Sequence, residues 1–190
     1  MKPLADLVRP TELDEVCGQE HILGKNKILD RIIKSGHISN MIFYGHPGTG
    51  KTTVANIIAR KAGKRFYKLN ATNASLKDIQ DITKELDTFL GMNGVVLYLD
   101  EIQNFPLWEK WLKGIYDKRK NIKFVISGSN ASLLSEDISS RLTGRHLTTR
   151  MFPFSFFEFL KYKKISFDLN TIAYSEQKIE IIRMFNEYLD

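Results

Sequence analysis

The sequence predicts an α/β fold in which a five-stranded parallel sheet carries helices on both faces. Three observations lead there. Apolar runs of strand length alternate with stretches of helical periodicity between residues 40 and 149, and strands alternating with helices make βαβ units, hence a parallel sheet. A Gly-rich stretch, Gly45-His46-Pro47-Gly48-Thr49-Gly50-Lys51-Thr52, joins the first apolar run to the helical text after it. A later run, Val95-Val96-Leu97-Tyr98-Leu99, is apolar throughout, as a strand covered on both faces should be, and ends in Asp100-Glu101.

Taken in order, Pro10 keeps Arg9 out of the helical region, so residues 9–16 read as an extended lead-in. After Gly18-Gln19, the residues Ile28, Leu29, Ile32 and Ile33 recur at helical spacing up to Ser35-Gly36. Met41-Ile42-Phe43-Tyr44 is the first strand, and residues 54–60 form a helix ended by Gly63. The second strand falls at 65–70. Ser75 and Asp78 make a capping box with Asp in the acidic place, opening a helix whose stripe is Ile79, Ile82, Leu86 and Phe89, up to Gly91. Residues 95–99 are the third strand. Pro106 opens a helix carrying Leu107, Trp108, Trp111, Leu112, Ile115 and Tyr116. Phe124-Val125-Ile126 is the fourth strand, Ser140-Arg141-Leu142 a short helical stretch, and 146–149 the fifth strand. Residues 174–189 read as a last helix with Ile179, Ile182 and Phe185 along it. The chain thus divides into a lead-in and first helix (1–39), a core (40–152), and an aromatic segment that begins a further helical region (153–190).

Composition narrows the class. At 190 residues with 43% apolar and 26% charged residues, this is an ordinary soluble globular chain of one domain, or one domain plus a fragment of another. A lone cysteine, Cys17, excludes an internal disulfide and fits a reducing cytosol. The N-terminus lacks an apolar signal region, and no apolar run approaches the roughly 20 residues of a membrane span. The net charge of +6 is compatible with a nucleotide or nucleic acid, although scattered lysines on helix faces account for much of it by solvation. His46 and His146 need no functional role, since His46 takes a variable position of the loop with no histidine or cysteine near it at metal-ligand spacing, and Cys17, with no adjacent base, reads as packed.

The chemistry lies in the two strand ends. The pattern G-x-x-x-x-G-K-T is a phosphate-binding loop: its glycines let backbone N–H groups curl inward on a phosphate, and the helix N-terminus adds partial positive charge. The cofactor-binding candidates are Gly45, His46, Pro47, Gly48, Thr49, Gly50, Lys51, Thr52 and the adjoining Thr53. Lys51 reaches the β- and γ-phosphates, and the Thr52 hydroxyl ligates Mg²⁺. Asp100 suits an outer ligand on that ion through water, and Glu101 suits polarisation of a water attacking the γ-phosphate. In a parallel sheet both carboxylates emerge at the same edge as the loop. Asn130, or Ser129 beside it, ends the next strand and can bond the γ-phosphate or cap a local turn. Arg141 or Arg145 supplies positive charge to the transferring phosphoryl, in an oligomer to a neighbour's nucleotide, or forms a surface salt bridge. The aromatic run 151–160 packs on the last strand or offers an interface.

The sequence resembles two branches of one superfamily. Leu4-Ala5-Asp6, Arg9-Pro10, Leu13-Asp14-Glu15-Val16, Gly18-Gln19-Glu20-His21-Ile22-Leu23-Gly24, Asn40 through Gly45 and Lys68-Leu69-Asn70-Ala71-Thr72 are similar to the replication-associated recombination protein A family of clamp-loader-like AAA+ ATPases. From about residue 100 to 165, Asp100-Glu101-Ile102-Gln103-Asn104, Trp108-Glu109-Lys110-Trp111, Gly128-Ser129-Asn130-Ala131, Leu142-Thr143-Gly144-Arg145 and Pro153-Phe154-Ser155-Phe156 resemble archaeal and bacterial AAA-type ATPases associated with a domain of unknown function. A seam falls near 103–107, and the shared strand–helix order lets one sheet continue across it. The resemblance implies a three-layer P-loop nucleoside-triphosphatase fold of AAA+/ASCE type, Walker A and Walker B motifs, Mg²⁺-ATP hydrolysis, ring assembly and a setting in DNA replication or recombination. It also implies that Val16 and Cys17 lie against the adenine, and that a helical lid, mostly missing by Asp190, follows the core. His46 departs from that family's usual proline.

Overall fold

The computed structural model describes residues 9–86, 88, 92–105, 108–118, 121–129, 146–165 and 177–189. Five strands, β1 (Asn40–Tyr44), β2 (Arg65–Asn70), β3 (Val95–Asp100), β4 (Ile122–Gly128) and β5 (His146–Arg150), form one sheet of order β2-β3-β4-β1-β5. Every pairing is parallel, with Met41 opposite Val125 and Leu147, and Leu97 opposite Tyr67 and Phe124. All C-terminal strand ends therefore share one edge, where Tyr44, Asp100 and Gly128 come together.

Seven helices are described: α1 (Glu20–Leu23), α2 (Ile28–Ser35), α3 (Lys51–Lys61), α4 (Leu76–Glu85), α5 (Trp108–Lys118), α6 (Phe156–Tyr162) and α7 (Gln177–Leu189). The period of two along β3 splits its side chains between two cores. Val95, Leu97 and Leu99 pack with Ile79 and Ile82 of α4 and Leu112 of α5. Val96 and Tyr98 pack with Val54, Ala55 and Ile58 of α3 and Leu29 of α2. That division makes three layers, and side chains such as Phe43, Ile58 and Leu97 are wholly enclosed. Each contributes about 1.5–3 kcal/mol by burial. The central strands β1, β3 and β4 are buried along most of their length, whereas edge strand β2 exposes Arg65, Lys68 and Asn70, the polar residues that blunt an open edge.

The expected Ser75–Asp78 capping box forms, with the Ser75 Oγ accepting from the Asp78 N–H and the Asp78 carboxylate accepting from the Ser75 N–H at 2.8 Å. The α4 stripe stops earlier than the periodicity suggests. The helix ends at Glu85, and Phe89 and Gly91 lie outside the described residues. Pro106, Leu107, Ser140-Arg141-Leu142 and residues 174–176 also lie outside them. Strand β4 is longer than its three-residue signal, because Ile122 and Ser127 extend the same buried ladder. The aromatic run after β5 seats α6 against α7: Phe156 meets Phe185 and Tyr188, with ring centroids at 5.0 and 5.6 Å. Met184 is the α7 residue turned inward; Ile179, Ile182 and Phe185 are exposed.

Candidate functional site

The phosphate loop connects β1 to α3. Its first glycine is required by a close approach: a Cβ on Gly45 would lie 2.1 Å from the Met151 carbonyl oxygen. Gly50, the N-cap of α3, has φ +86°, a left-handed conformation that glycine adopts without penalty. With the loop so curled, Lys51 folds back into it, and its ammonium donates to the Gly45 and His46 carbonyls, each at 2.8 Å. An ammonium has three protons, so one is left for the cavity in front. Burial lowers the Lys51 pKa, and the opposing pull of Glu101 and Asp100 is smaller. Thr49, buried, closes the turn by donating to the His46 carbonyl at 3.0 Å.

The cavity in front of the loop has a volume of about 300 Å³. Pro47, Gly48, Gly50, Lys51, Thr52 and Thr53 line one wall, and Tyr98, Asp100 and Glu101 line the other. The loop and the acidic pair thus share one space, as their strand ends require. Arg9 lines the same cavity from the lead-in before α1; sequence reading passed over it because an arginine before a proline carries no chemical signature. Gly45, His46 and Thr49 do not line it. Val16 is half-buried, Cys17 is exposed, and neither lines this space. The expectation that Cys17 packs is therefore wrong: it is exposed in the turn between a short 3-10 helix (Leu13–Glu15) and α1.

The acidic wall is a hydrogen-bonded network. Thr52 Oγ1 donates to the Tyr98 hydroxyl at 3.1 Å, which lies 2.7 Å from Ser127 Oγ and 3.2 Å from Asp100 Oδ1. Ser127 Oγ donates to Asp100 Oδ1 at 2.6 Å, and the Lys68 ammonium lies 3.3 Å from Asp100 Oδ2. Burial alone would raise the Asp100 pKa, but hydrogen bonds from Ser127, Lys68 and Tyr98 and the Lys68 charge outweigh it, so the carboxyl is held below its usual range. Burial chiefly pushes the Tyr98 phenol up, so it stays protonated. From sequence, Tyr98 reads as part of an apolar core strand, and Ser127 falls just past the Phe124-Val125-Ile126 run. Their alternation with Asp100 and Val125 on the α3 side of the sheet was the available signal.

Glu101 is set differently. It adopts φ +52°, ψ +46°, and its Oε2 accepts from Gln103 Nε2 at 2.5 Å and Ser129 Oγ at 3.2 Å. A left-handed glutamate is strained, and such strain concentrates where function over-determines the backbone. Of the pair offered for the fourth strand end, Ser129 therefore touches the acidic wall. Asn130, Arg141 and Arg145 lie outside the described residues. No group of three or more His, Cys, Asp or Glu suited to a metal occurs among the described residues. Mg²⁺ does not need one. It takes oxygen ligands, keeps several waters and is completed by substrate phosphates, so a hydroxyl and a carboxylate on one cavity wall suit it.

A profile of the AAA domain matches residues 39–160, more than half of the chain. The chain belongs to the AAA domain family. The match of this AAA domain spans the seam near 103–107. It is 45% identical over 103 residues to replication-associated recombination protein A of Coxiella burnetii and 42% identical over 103 residues to the Bacillus subtilis protein of that name. Those matches cover 54% of this chain and 23–24% of the relatives, so the chain spans about a quarter of their length. Among solved structures it is similar to the Thermotoga maritima RuvB Holliday junction branch migration motor, with a TM-score of 0.65 and 25% identity over 83% of this chain and 53% of that one. The three-layer sheet predicted from sequence is that of the AAA+ fold. No described helix is long and apolar enough to cross a membrane.

Proposed function

We propose that this AAA domain binds Mg²⁺-ATP in the cavity between the phosphate loop and the end of β3, and hydrolyses it to ADP and phosphate. The observation that carries this reading is that Lys51, Thr52, Asp100 and Glu101 line a single cavity. Thr52 and Asp100 would hold Mg²⁺, Asp100 through water, and the bound ion would offset phosphate charge. Lys51 binds the phosphates with its remaining proton. Glu101 orients and polarises the attacking water, with Ser129 bonding its carboxylate, and Asn130 has the role of sensing the γ-phosphate. Val16 and Cys17 take the adenine side. One of Arg141 and Arg145 reaches a neighbouring subunit's nucleotide in a ring.

The test compares ATP hydrolysis and nucleotide binding by the parent, Lys51→Ala and Glu101→Gln. Loss of a general base costs about 10²–10⁴ in rate, so Glu101→Gln should keep binding and lose turnover, and Lys51→Ala should lose both. Equal hydrolysis by all three would overturn the enzyme claim, and parental binding without phosphate release would make the domain a nucleotide-binding module. The relatives' names speak of replication-associated recombination and of branch migration, and we extend a DNA setting to this chain on that likeness. It requires affinity for forked DNA that falls steeply with salt.

A further inference from the structure

The Tyr98 hydroxyl stands between the two groups offered to the metal. In the sheet, Tyr98 and Asp100 lie two residues apart on the face that α3 covers, so the phenol points along the strand toward Thr52. Ser127, on the adjacent strand β4, sits on the same face as Val125 and meets both.

Counting protons fixes the direction of this chain. An ionised carboxylate only accepts, so Ser127, at 2.6 Å from Asp100 Oδ1, spends its single proton there. Tyr98 then spends its proton on Ser127 Oγ at 2.7 Å, the shorter of its two onward contacts; if the proton went to Asp100 Oδ1 at 3.2 Å the outcome for Thr52 would be the same. The Thr52–Tyr98 contact at 3.1 Å can be made only by the Thr52 proton. Three hydroxyls therefore donate in sequence, Thr52 to Tyr98 to Ser127 to Asp100. A hydroxyl oxygen ligates a cation through its lone pairs and needs its proton turned away. Tyr98, wholly buried and unable to rotate off this position, supplies the acceptor that turns it.

We infer that Tyr98 is a positioning residue for the metal: by accepting the Thr52 proton and passing its own toward Asp100, it presents the Thr52 lone pairs to Mg²⁺ and makes the Thr52 hydroxyl and the Asp100 carboxylate act as one unit. This rests on the proposed Mg²⁺-nucleotide site.

The experiment measures binding of a fluorescent ATP analogue to the parent, Tyr98→Phe and Ser127→Ala, with Mg²⁺ titrated and again in EDTA. Phenylalanine keeps the buried ring and removes only the oxygen, and thermal melting checks that each variant folds. A typical net hydrogen bond converts to about three- to tenfold in an equilibrium constant. Tyr98→Phe should therefore need about three- to tenfold more Mg²⁺ for half-maximal tightening, with unchanged affinity in EDTA. Ser127→Ala removes the shorter link between Tyr98 and Asp100 and leaves only the 3.2 Å contact, so it should shift the Mg²⁺ requirement in the same direction by a smaller factor. It carries the test alone if the first variant does not fold. An unchanged Mg²⁺ requirement in a folded variant, or equal losses with and without Mg²⁺, would overturn the positioning role while leaving the nucleotide site intact. A parent whose nucleotide affinity ignores Mg²⁺ would overturn the metal reading, and this inference with it.

Discussion

Glu101 adopts a left-handed backbone conformation that only glycine reaches without steric penalty, at φ +52°. The strain orients its carboxylate to accept from Ser129 and Gln103 at the cavity rim. A comparison of two truncations isolates the backbone contribution. Glu101→Gly and Glu101→Ala lose the same carboxylate, but alanine keeps the clash, so the glycine variant should be the more stable by about 1 kcal/mol in denaturant unfolding. Equal stabilities would mean that the left-handed conformation is not imposed in solution. Much of this site could be read residue by residue before any fold was known. Lys51, Thr52, Asp100 and Glu101 announce themselves by type and spacing at strand ends. Tyr98 did not, because a tyrosine inside an apolar strand is ordinary core, and only the pleat shows that its hydroxyl falls between Thr52 and Asp100.

Between elements, the phosphate loop is tied to the chain after β5 by one buried side chain. Gln19, at the N-terminus of α1, donates through Nε2 to the Phe152 carbonyl at 2.6 Å and to the Thr49 carbonyl at 3.4 Å, and its Oε1 accepts from the Phe152 N–H at 3.2 Å. Its own N–H donates to Glu158 Oε1 at 3.0 Å, and the other Glu158 oxygen caps α6 through Ser155. Around it His21 donates from Nε2 to the Arg150 carbonyl at 2.8 Å and packs edge-on to Phe152, and Lys161 pairs with Glu20. Gln19→Ala would leave the part-buried Phe152 amide and carbonyl without that partner. A net hydrogen bond contributes about 0.5–1.5 kcal/mol, so the variant should lose about 1–3 kcal/mol, with the loss visible in chemical unfolding and accompanied by weaker nucleotide binding. Gln19→Glu, which cannot donate to either carbonyl, should behave similarly. The sequence marked this position only as the start of helical text. The partners stand more than 130 residues away, at Phe152 and Glu158, and no local pattern reports such a contact.

At the scale of the whole molecule, the fold was legible because its signals are local and repeated: three apolar runs and two mixed strand stretches, the glycines and caps between them, and parallel connection as their common consequence. What stayed hidden depended on which surfaces meet. The last helix shows this, since Ile179 and Ile182 follow a helical stripe yet are exposed, while Met184 turns inward and Phe185, though partly exposed, packs edge-on to Phe156. Global stability should also carry a pH signature from the sheet edge. His146 opens β5 with its Nδ1 buried and without a partner among the described residues, and burial lowers its pKa from 6.5. The unfolded chain therefore takes up a proton near pH 6.5 that the folded chain refuses. Stability rises with pH through that region and is lost as pH falls below about 6.5, until the folded group also protonates. Thermal melts between pH 7.5 and 5.5 should show the parent weakening and His146→Leu weakening less.

The Gln19 peg bears on how far this architecture can be cut and rejoined. The stretch ahead of β1 holds the strip between β5 and α6, and that strip presses its Met151 oxygen against Gly45. A transplant of the first hundred residues onto a foreign partner would carry the loop but abandon the strip that steadies it. Portability in this scaffold belongs to the pair, and an engineer exchanging one half would need to move residues 150–161 along with it.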